Sequence, residues 1–418
     1  MRKRVLMVMT RDIPPEATNG RERTLRFIRD AIGSEVELRE FTIRSLFESG
    51  GSAAKMAALI RLMRGIVTGA PCALQVAMFA DRRKERKLAA MIAEFKPDVV
   101  YLDGVRLVDY ASGIRVLIGR RPIIFDFDDL MSRRAAMLYD ARLPVSPGYL
   151  TKSIPGPLVR LANASFIRQA FLRYERYCLQ GHERQAVEAA HAVTLVSSDD
   201  AQALGALLDS RTAMRKVHVI APPMTSTRPL ARPADLLRFV FIGSDTQLQN
   251  RLSIDYLLGL WKRLAPRTPL VVYGRMVREY DAVPNVRFAG FAPSHDDVYT
   301  SGSIAMCPAF LGGGIKSKVL EAISHGCPPV GNATAYEGLG FQDASLAMSE
   351  ADLERFVTDP SSHLDAVLDA AAEFAAYCEA HYSVTAFSTR WRNLLALSPA
   401  IQMQPAAPPM PAHQPLHL

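Results

Sequence analysis

The chain repeats one pattern twice along its length. Short apolar runs alternate with longer segments in which apolar residues recur every three to four positions. Such runs are typical of strands buried on both faces of a parallel sheet, and such segments are typical of the helices that cover it. The predicted strands are 5–9, 99–102, 123–127 and 192–196 in the first half, and 238–242, 270–273, 286–289, 304–307 and 329–330 in the second. The pattern therefore predicts an α/β protein with two sheet-containing domains.

A proline-rich segment between the two halves predicts the domain boundary. It reads APPMTSTRPLARPAD, and its prolines and small polar residues favour an interdomain linker. Near the end, apolar residues spaced i, i+4, i+7 and i+8 predict a last helix, and the closing residues are too rich in proline to order themselves. We predict an N-terminal Rossmann-like domain, a linker, a C-terminal Rossmann-like domain, a last helix and a disordered tail, at 1–222, 223–235, 236–382, 383–398 and 399–418.

One segment of the second half has the features of a phosphate site. It reads PAFLGGGIKSKVLEAISHGCPPVG, the pattern of a strand end, a glycine turn, a helix and the next strand. Gly312, Gly313 and Gly314 allow a close approach of backbone amides to a ligand, and the helix directs its positive dipole end to the same point. Lys318 and Glu321 share one face of this helix, so they can hold a diphosphate and accept hydrogen bonds from ribose hydroxyls. The segment predicts a nucleoside diphosphate site.

This segment, with the AYEGLG that follows it, resembles the donor-binding segment of family 4 (group 1) glycosyltransferases of the GT-B fold. The resemblance implies two Rossmann-like domains with parallel sheets facing a central cleft, and a C-terminal helix that crosses back to the N-domain. Many members carry two glutamates eight positions apart. Glu321 matches the second, and Gly313 stands in the place of the first, which leaves the donor sugar and the stereochemical outcome open.

The resemblance also implies how the donor is held. The donor is a nucleotide-diphosphate sugar, and the reaction needs no metal and no other cofactor. The implied donor-binding residues are Gly243, Ser244, Arg251, Gly312, Gly313, Gly314, Ile315, Lys316, Lys318 and Glu321. A surface arginine is an equally good interpretation of Arg251. Lys318, with Lys316 and the glycine amides, is expected to stabilise the charge that develops on the leaving diphosphate.

An acidic cluster follows a predicted strand of the first half, in the sequence IIFDFDDL. Asp126, Asp128 and Asp129 lie at the C-terminal edge of this strand, where open α/β sheets bind their ligands. One of them is a candidate general base on an acceptor hydroxyl, or positions that hydroxyl. Helix capping explains one of these carboxylates but not three. The cluster also resembles the D-x-x-D-x-x-S pattern of some polysaccharide glycosyltransferases, with Ser132 as its serine, and a metal-binding acidic pair is a competing interpretation.

The loop after the first strand is also expected to reach the cleft. Asn19 and Gly20 open a helix that carries Arg21 near its start. In the family that the chain resembles, the equivalent loop reaches the donor or the acceptor. Gly20 and Arg21 are therefore predicted contacts in the cleft, and an ordinary turn is the alternative.

Positive charge is concentrated in the first half. The net charge is +8, and residues 1–230 hold 36 Lys and Arg against 24 Asp and Glu, whereas the remaining residues hold 14 against 18. This asymmetry favours an anionic surface or substrate as a partner. No nucleic-acid-binding motif accompanies it, so we do not expect nucleic acid. An apolar stripe from Met56 to Val67, followed by the basic run 82–87, predicts either a helix at a membrane surface or a helix packed on the sheet.

The sequence offers no sign of a membrane span or of export. No apolar run approaches the roughly 18 residues that a span needs, and charged residues interrupt the first apolar run before a signal-peptide core forms. The five cysteines show no metal or disulfide spacing. We predict a cytoplasmic protein, peripherally associated with the cytoplasmic face of the inner membrane.

These observations predict a glycosyltransferase that moves a hexosyl group from a nucleotide-diphosphate sugar to a lipid-diphosphate-linked saccharide acceptor in bacterial polysaccharide biosynthesis. Two alternatives stay open: a nucleotide-sugar epimerase or phosphorylase of the same fold, and a non-catalytic, membrane-associated assembly subunit. The first strand is not followed by G-x-G-x-x-G, which argues against a Rossmann-type dehydrogenase.

Overall fold

The computed structural model describes most of the 418-residue chain. The described residues are 2–14, 20–49, 52–69, 71–142, 164–208, 210–224, 227–230, 232 and 238–396. The predicted tail at 399–418 and part of the predicted linker at 223–235 lie outside them.

Six parallel strands form the sheet of the first domain. Their order across the sheet is β2-β1-β3-β4-β5-β6. The strands are β1 (Lys3–Met9), β2 (Val36–Thr42), β3 (Val99–Asp103), β4 (Ile123–Asp128), β5 (Ala192–Leu195) and β6 (Val217–Val219). The sequence pattern missed β2 and β6, because β2 carries charged residues along an edge of the sheet and β6 has only three residues.

Helices cover both faces of this sheet. They are α1 (Gly20–Gly33), α2 (Leu46–Ser49), α3 (Ser52–Val67), α4 (Leu74–Ala77), α5 (Arg82–Phe95), α6 (Tyr110–Ile118), α7 (Met131–Asp140), α8 (Ser165–Ala189), α9 (Ser198–Leu207) and α10 (Arg211–Met214). Successive residues of β1 point to opposite faces, so Leu6 and Val8 belong to one apolar core while Val5 and Met7 belong to the other.

The second domain has a parallel sheet of five strands in the order β11-β10-β7-β8-β9. The strands are β7 (Arg238–Ile242), β8 (Leu270–Tyr273), β9 (Val286–Gly290), β10 (Ser303–Met306) and β11 (Pro329–Val330). The helices are α11 (Leu248–Leu264), α12 (Ser317–Ser324), α13 (Ala333–Tyr336), α14 (Glu350–Thr358) and α15 (Leu364–Tyr382). Phe239 anchors the core, with its ring centroid 5.5 Å from that of Trp261 and 5.6 Å from that of Phe356.

The last helix, α16 (Val384–Leu394), returns to the first domain. The Phe387 ring lies 6.3 Å from the Phe27 ring of α1, and the Trp391 ring lies 5.9 Å from the Tyr101 ring of β3. Both α16 side chains are buried in the core that Val5 and Met7 line. Two parallel sheets and a crossing last helix confirm the predicted fold class.

Candidate active site

A cavity of about 810 Å³ lies between the two domains. Its walls come from the end of β4, the glycine turn before α12, α12 itself and the facing sides of α7 and α8. The predicted site residues that line it are Gly20, Arg21, Asp128, Asp129, Gly312, Gly313, Gly314, Ile315, Lys316, Lys318 and Glu321. The structure thus brings the acidic cluster of the first domain and the glycine segment of the second to one cleft. Asp126, Gly243, Ser244 and Arg251 do not line this cavity.

The glycine turn adopts a conformation that larger residues disfavour. Gly313 and Gly314 have φ angles of 86° and 60°. A Cβ atom on Gly312 would lie 2.6 Å from Oε2 of Glu337. The Lys316 Nζ atom donates a hydrogen bond of 2.9 Å to the carbonyl oxygen of Gly313. The turn is therefore closely packed from behind, with its open side towards the cavity.

One of the three glycine amides already has an anionic partner. The Gly314 N–H donates a buried hydrogen bond of 2.8 Å to Oδ2 of Asp200, which belongs to the first domain. The sequence predicted that all three amides face a phosphate. In the structure that interpretation remains available for Gly312 and Gly313, whereas Gly314 is directed to a carboxylate.

Lys318 is held at the cavity by its surroundings. Its Nζ atom donates a hydrogen bond of 2.6 Å to Oδ1 of Asn250 and lies 4.2 Å from the ring centroid of Phe241. Burial lowers the pKa of Lys318 to about 8. Asn250 also donates to the Ser244 carbonyl oxygen at 2.8 Å, so it joins the loop after β7 to the lysine. Asn250 was not among the predicted site residues.

Gly243 makes room for this lysine. A Cβ atom at Gly243 would lie 2.8 Å from Nζ of Lys318 and 2.8 Å from Cγ of Asn250. We expect Gly243→Ala to displace the ammonium and to raise the dissociation constant for a nucleoside diphosphate about tenfold, because a misplaced charge loses much of a charge-assisted hydrogen bond. Calorimetric titration checks this, with Gly259→Ala as the control, since nothing lies within 4 Å of a Cβ there. Equal affinity in Gly243→Ala and wild type would contradict the packing argument.

Glu321 pairs with the opposite domain. Its Oε1 atom lies 2.8 Å from Nη2 of Arg23, which projects from α1. The backbone oxygen of Glu321 lies 2.8 Å from Nδ1 of His325. The ring of His325 meets that of His295 edge to face at 5.4 Å, and burial lowers the pKa of His295. A carboxylate, an arginine and two imidazoles therefore meet where the cavity passes between the domains.

Arg21 is the centre of a buried ion network in the first domain. Its Nη2 atom lies 2.5 Å from Oδ1 of Asp103, and its Nη1 atom lies 3.0 Å from Oδ2 of Asp126 and 3.4 Å from Oδ1 of Asp128. Burial opposes ionisation of Asp103, but the guanidinium outweighs it and holds the pKa of Asp103 at about 2.

Asp126 is fully engaged within this network. Besides Arg21, it accepts hydrogen bonds from the Tyr101 hydroxyl at 2.6 Å and from Oγ1 of Thr194 at 2.8 Å. Its side chain is 4% exposed, so it supports the strand ends rather than facing a ligand. Arg21 likewise reaches the cavity with only 7% of its side chain exposed.

Removing Arg21 should leave the buried carboxylates without their main counter-charge. We expect Arg21→Met to lower the free energy of unfolding at pH 7 by about 3–5 kcal/mol. The deficit should shrink at pH 5, because carboxylates whose pKa is no longer depressed take up protons there. Urea unfolding at both pH values measures it, against Arg39→Met, which removes a surface ion pair to Glu94. Equal losses of unfolding free energy in the two variants would show that the network stabilises the fold no more than a surface ion pair does.

Asp128 is the member of the acidic cluster that faces the cavity with a perturbed pKa. Its φ of 65° is unusual for a non-glycine residue, and the pairing of β4 with β5 shifts register here. Its side chain is 36% exposed. Burial raises the pKa of Asp128 to about 6 against the effect of Arg21, and the negative charges of Asp129 and Asp126 add to the rise. Asp129 lines the cavity too, but its Oδ2 atom lies 3.0 Å from Nη2 of Arg134.

A second hollow of about 630 Å³ adjoins the cleft on the second domain. Gly243 and Ser244 lie in its wall, and His295 and His325 line both the hollow and the cleft. The guanidinium of Arg275 lies 5.1 Å from the ring centroid of Phe291, which is 63% exposed. The residues that line the hollow are Arg228, Ile242, Gly243, Ser244, Gly274, Arg275, Phe291, Ala292, Pro293, Ser294, His295, Asp296 and His325. Arg251, at the start of α11, lines neither space.

The apolar stripe on α3 faces outwards. Met56, Ile60, Met63 and Val67 are 55%, 58%, 55% and 82% exposed. Their spacing of four, three and four residues places them on one side of the helix. These four side chains are therefore not packed on the sheet, which was one of the two interpretations of the stripe. Among the described helices, none is both long enough and apolar enough to span a membrane.

Known proteins share this architecture over nearly the whole chain. Sucrose-phosphate synthase from Thermosynechococcus elongatus superposes with a TM-score of 0.59 at 13% identity, over 95% of this chain and 100% of that one. The apo form of the lipopolysaccharide outer core galactosyltransferase WaaB gives 0.56 at 13% identity, over 94% and 98%. HepE from Anabaena, in complex with UDP and glucose, gives 0.54 at 12% identity, over 94% and 99%. The chain has the GT-B fold.

Part of the sequence also matches a model of a known family. Residues 237–359 match the family model described as glycosyl transferases, group 1. This segment contains the glycine turn, Lys318 and Glu321, and it confirms the resemblance drawn from those residues. No curated protein sequence matches the chain.

Proposed function

We propose that the protein is a glycosyltransferase that moves a sugar from a nucleotide-diphosphate donor to a saccharide acceptor. The observation that carries this proposal is the placement of Lys318. Lys318 presents a half-buried ammonium group to the cavity, beside the glycine turn, whose backbone can approach a ligand closely. Such a group holds a diphosphate in the ground state and stabilises the charge that develops on it as the glycosidic bond breaks. The proposed reaction uses no metal ion and no organic cofactor.

We place the donor across the cavity between the domains and the adjoining hollow of the second domain. We place its diphosphate at Lys318 and the amides of Gly312 and Gly313, and its ribose near Glu321. The adjoining hollow would take the base against Phe291. The complex of HepE with UDP and glucose supports a nucleoside diphosphate here by analogy of fold. The ribose would meet Glu321 beside Arg23, which already neutralises this carboxylate from the opposite domain.

Asp128 is the group we assign to the acceptor hydroxyl. It lies at the end of a buried strand, faces the cavity and has a pKa near the working range of a general base. In an inverting reaction it would accept the hydroxyl proton. In a retaining reaction the leaving diphosphate would accept that proton, and Asp128 would orient the hydroxyl. Asp126 and Arg21 hold the strand end that carries it.

We propose a lipid-diphosphate-linked saccharide as the acceptor, at the cytoplasmic face of the inner membrane. The first domain is the basic half of the chain, and α3 exposes an apolar stripe with Arg64 on its last turn. An exposed apolar stripe with a basic flank is the pattern of helices that lie at anionic membrane surfaces.

Vesicle binding tests this surface without any assay of activity. We expect the protein to sediment with vesicles that contain 30% anionic lipid and to remain in solution with zwitterionic vesicles at about 0.15 M salt. The double variant Ile60→Ser with Val67→Ser should bind at least tenfold more weakly, since each residue loses about 1.5–3 kcal/mol of apolar transfer energy if fully buried. Val277→Ser, which replaces a residue 74% exposed on the second domain, is the control. Equal binding by all three proteins would remove α3 from the proposal.

A thermal-shift panel of UDP, GDP, ADP, TDP and NAD tests the proposed function itself. A ligand at 100 times its dissociation constant adds about 2.7 kcal/mol to the folded state. A shift with one nucleoside diphosphate supports the proposal and names the base. No shift with any nucleotide favours the assembly-subunit alternative, and a shift with NAD alone overturns the donor class. A product analysis with the matching nucleotide sugar then separates transfer from epimerisation.

A further inference from the structure

The first turn of α9 reaches across the cleft and contacts two glycine turns of the second domain. Asp200 accepts a hydrogen bond of 2.8 Å from the Gly314 N–H. Burial raises the pKa of Asp199, its neighbour, and the nearby Gly338 amide opposes that rise. Ser197 caps the helix by accepting from the amides of both aspartates, which fixes their positions in the turn. The start of this helix therefore contacts both glycine turns, through the Asp200 hydrogen bond at Gly314 and through Ser197 at Gly338.

The contact around Gly314 excludes solvent. The Asp200 side chain is 0% exposed. A Cβ atom at Gly314 would lie 3.7 Å from Cγ2 of Val196 and 3.8 Å from Cβ of Asp129, so the glycine turn rests on the strand ends of the first domain. A Cβ atom at Gly338 would lie only 2.3 Å from Oγ of Ser197. Close approach of the opposite domain therefore requires glycine at 338, whereas at Gly314 it is the φ of 60° that favours glycine.

Arg133 completes the contact. Its Nη1 atom donates a hydrogen bond of 2.9 Å to Oδ1 of Asp200, and its Nη2 atom pairs with Glu337 of the second domain. The guanidinium therefore neutralises one carboxylate from each domain directly behind the turn. Glu337 is also the residue whose Oε2 atom lies closest to the Cβ position of Gly312. The turn is supported on one side by a charged cluster that spans both domains.

From these contacts we infer that Asp200 is a positioning residue for donor binding: it fixes the glycine turn of the second domain from the first. This inference rests on the proposed donor site. A buried amide requires a partner, and among the described residues the acceptor for the Gly314 N–H is a carboxylate of the opposite domain. The turn is thus assembled for the donor by closure, and donor affinity and closure are coupled.

Three residues of this contact lie outside the cavity in which we place the donor. Asp200, Asp199 and Arg133 do not line the cavity. Loss of Asp200 should leave the Gly314 amide unpaired and free the turn to adopt other conformations, so that Gly312 and Gly313 no longer present their amides together. We expect the dissociation constant for a nucleoside diphosphate to rise about tenfold in Asp200→Ala, within the usual range of such couplings. Asp200→Asn keeps an acceptor oxygen for the Gly314 N–H and should restore most of the affinity.

The test combines hydrogen exchange with titration. Peptides that cover residues 309–320 are followed by hydrogen–deuterium exchange in the ligand-free full-length wild type, Asp200→Ala, Asp200→Asn and Glu188→Gln, an exposed carboxylate on α8. UDP, GDP, ADP and TDP are then titrated into each protein. We expect faster exchange of these peptides and weaker nucleotide binding in Asp200→Ala, near-normal behaviour in Asp200→Asn, and no change in Glu188→Gln.

The outcomes separate this inference from the proposed function. If the wild type binds none of the nucleotides, the donor proposal fails, and so does the role of Asp200 in donor binding, even where the exchange data show that it orders the turn. Unchanged exchange and unchanged affinity in Asp200→Ala overturn the inference alone. A lower melting temperature with unchanged affinity does the same, because it marks a tie between domains and not a positioning residue. If Asp200→Ala does not fold, Arg133→Met takes its place, because Arg133 donates to Oδ1 of Asp200, and exchange of residues 309–320 and nucleotide affinity stay the readouts, with no change in either overturning the inference.

Discussion

Lys318→Ala is expected to lower kcat/KM for the nucleotide sugar by a factor of about 10²–10³ and to weaken binding of the nucleoside diphosphate as well. The larger part of the loss should appear in kcat, since the charge on the departing diphosphate grows towards the transition state. The half-buried position of the ammonium makes the effect large, because a charge in a region of low dielectric interacts more strongly than one in water. Steady-state kinetics with varied donor measure both parameters.

The control for this variant is Lys262→Ala. Lys262 is exposed on α11 of the same domain, so its loss changes the net charge equally without touching the cleft. Wild-type kinetics in Lys262→Ala would attribute the effect of Lys318→Ala to position and not to charge. Should Lys318→Ala retain wild-type kcat and donor affinity, the ammonium has no role in the reaction and the assigned donor site is wrong.

Asp128→Asn is the second substitution with a large expected effect. Its donor affinity should stay within about twofold of wild type, while transfer to the acceptor falls by about 10²–10⁴ if Asp128 is the general base. Asparagine keeps the shape of the side chain but cannot accept a proton at neutral pH. A retaining reaction, in which Asp128 only orients the hydroxyl, should show a smaller loss. The size of the loss therefore bears on the stereochemical question that the sequence left open.

The pH profile provides the independent check. A general base works when deprotonated, and the raised pKa of Asp128 predicts that kcat/KM rises with pH through about 6. Lys318 works when protonated, and its lowered pKa predicts a decline above about 8. Asp128→Asn should lose the acid limb and keep the alkaline one. An acid limb that persists in Asp128→Asn would assign it to another group, and the base assignment would fail.

The fold was accessible to sequence reasoning because the central strands of both sheets are runs of buried residues. The strands β7, β8 and β11 begin and end at the predicted residues, since each is an apolar run bounded by polar or turn-forming residues. The edge strand β2 was not predicted, because its exposed, charged residues resemble a surface loop when only the sequence is read. The limits of the two domains and of the linker stay predictions.

The candidate site was accessible in part, for a physical reason. Local motifs such as the glycine turn with Lys318 lie within one helix and its loop, so spacing alone predicts that they meet. Partners from distant segments leave no such trace: Asp200 lies 114 residues before the Gly314 amide that it accepts from, and Arg21 lies 105 residues before Asp126. Arg21 was predicted to contact a ligand. Its main visible role is to neutralise carboxylates at the ends of β3 and β4, which come together only when these two strands pair in the sheet.

The central claim is that the glycine turn and Lys318 form a nucleoside diphosphate site on the second domain. A crystal structure of the protein with the nucleoside diphosphate that gives the largest thermal shift tests it most directly. We expect the diphosphate to lie about 3 Å from Nζ of Lys318 and from the amides of Gly312 and Gly313, as charge-assisted hydrogen bonds require. A nucleotide bound elsewhere, with Lys318 still donating only to Asn250, would contradict the account.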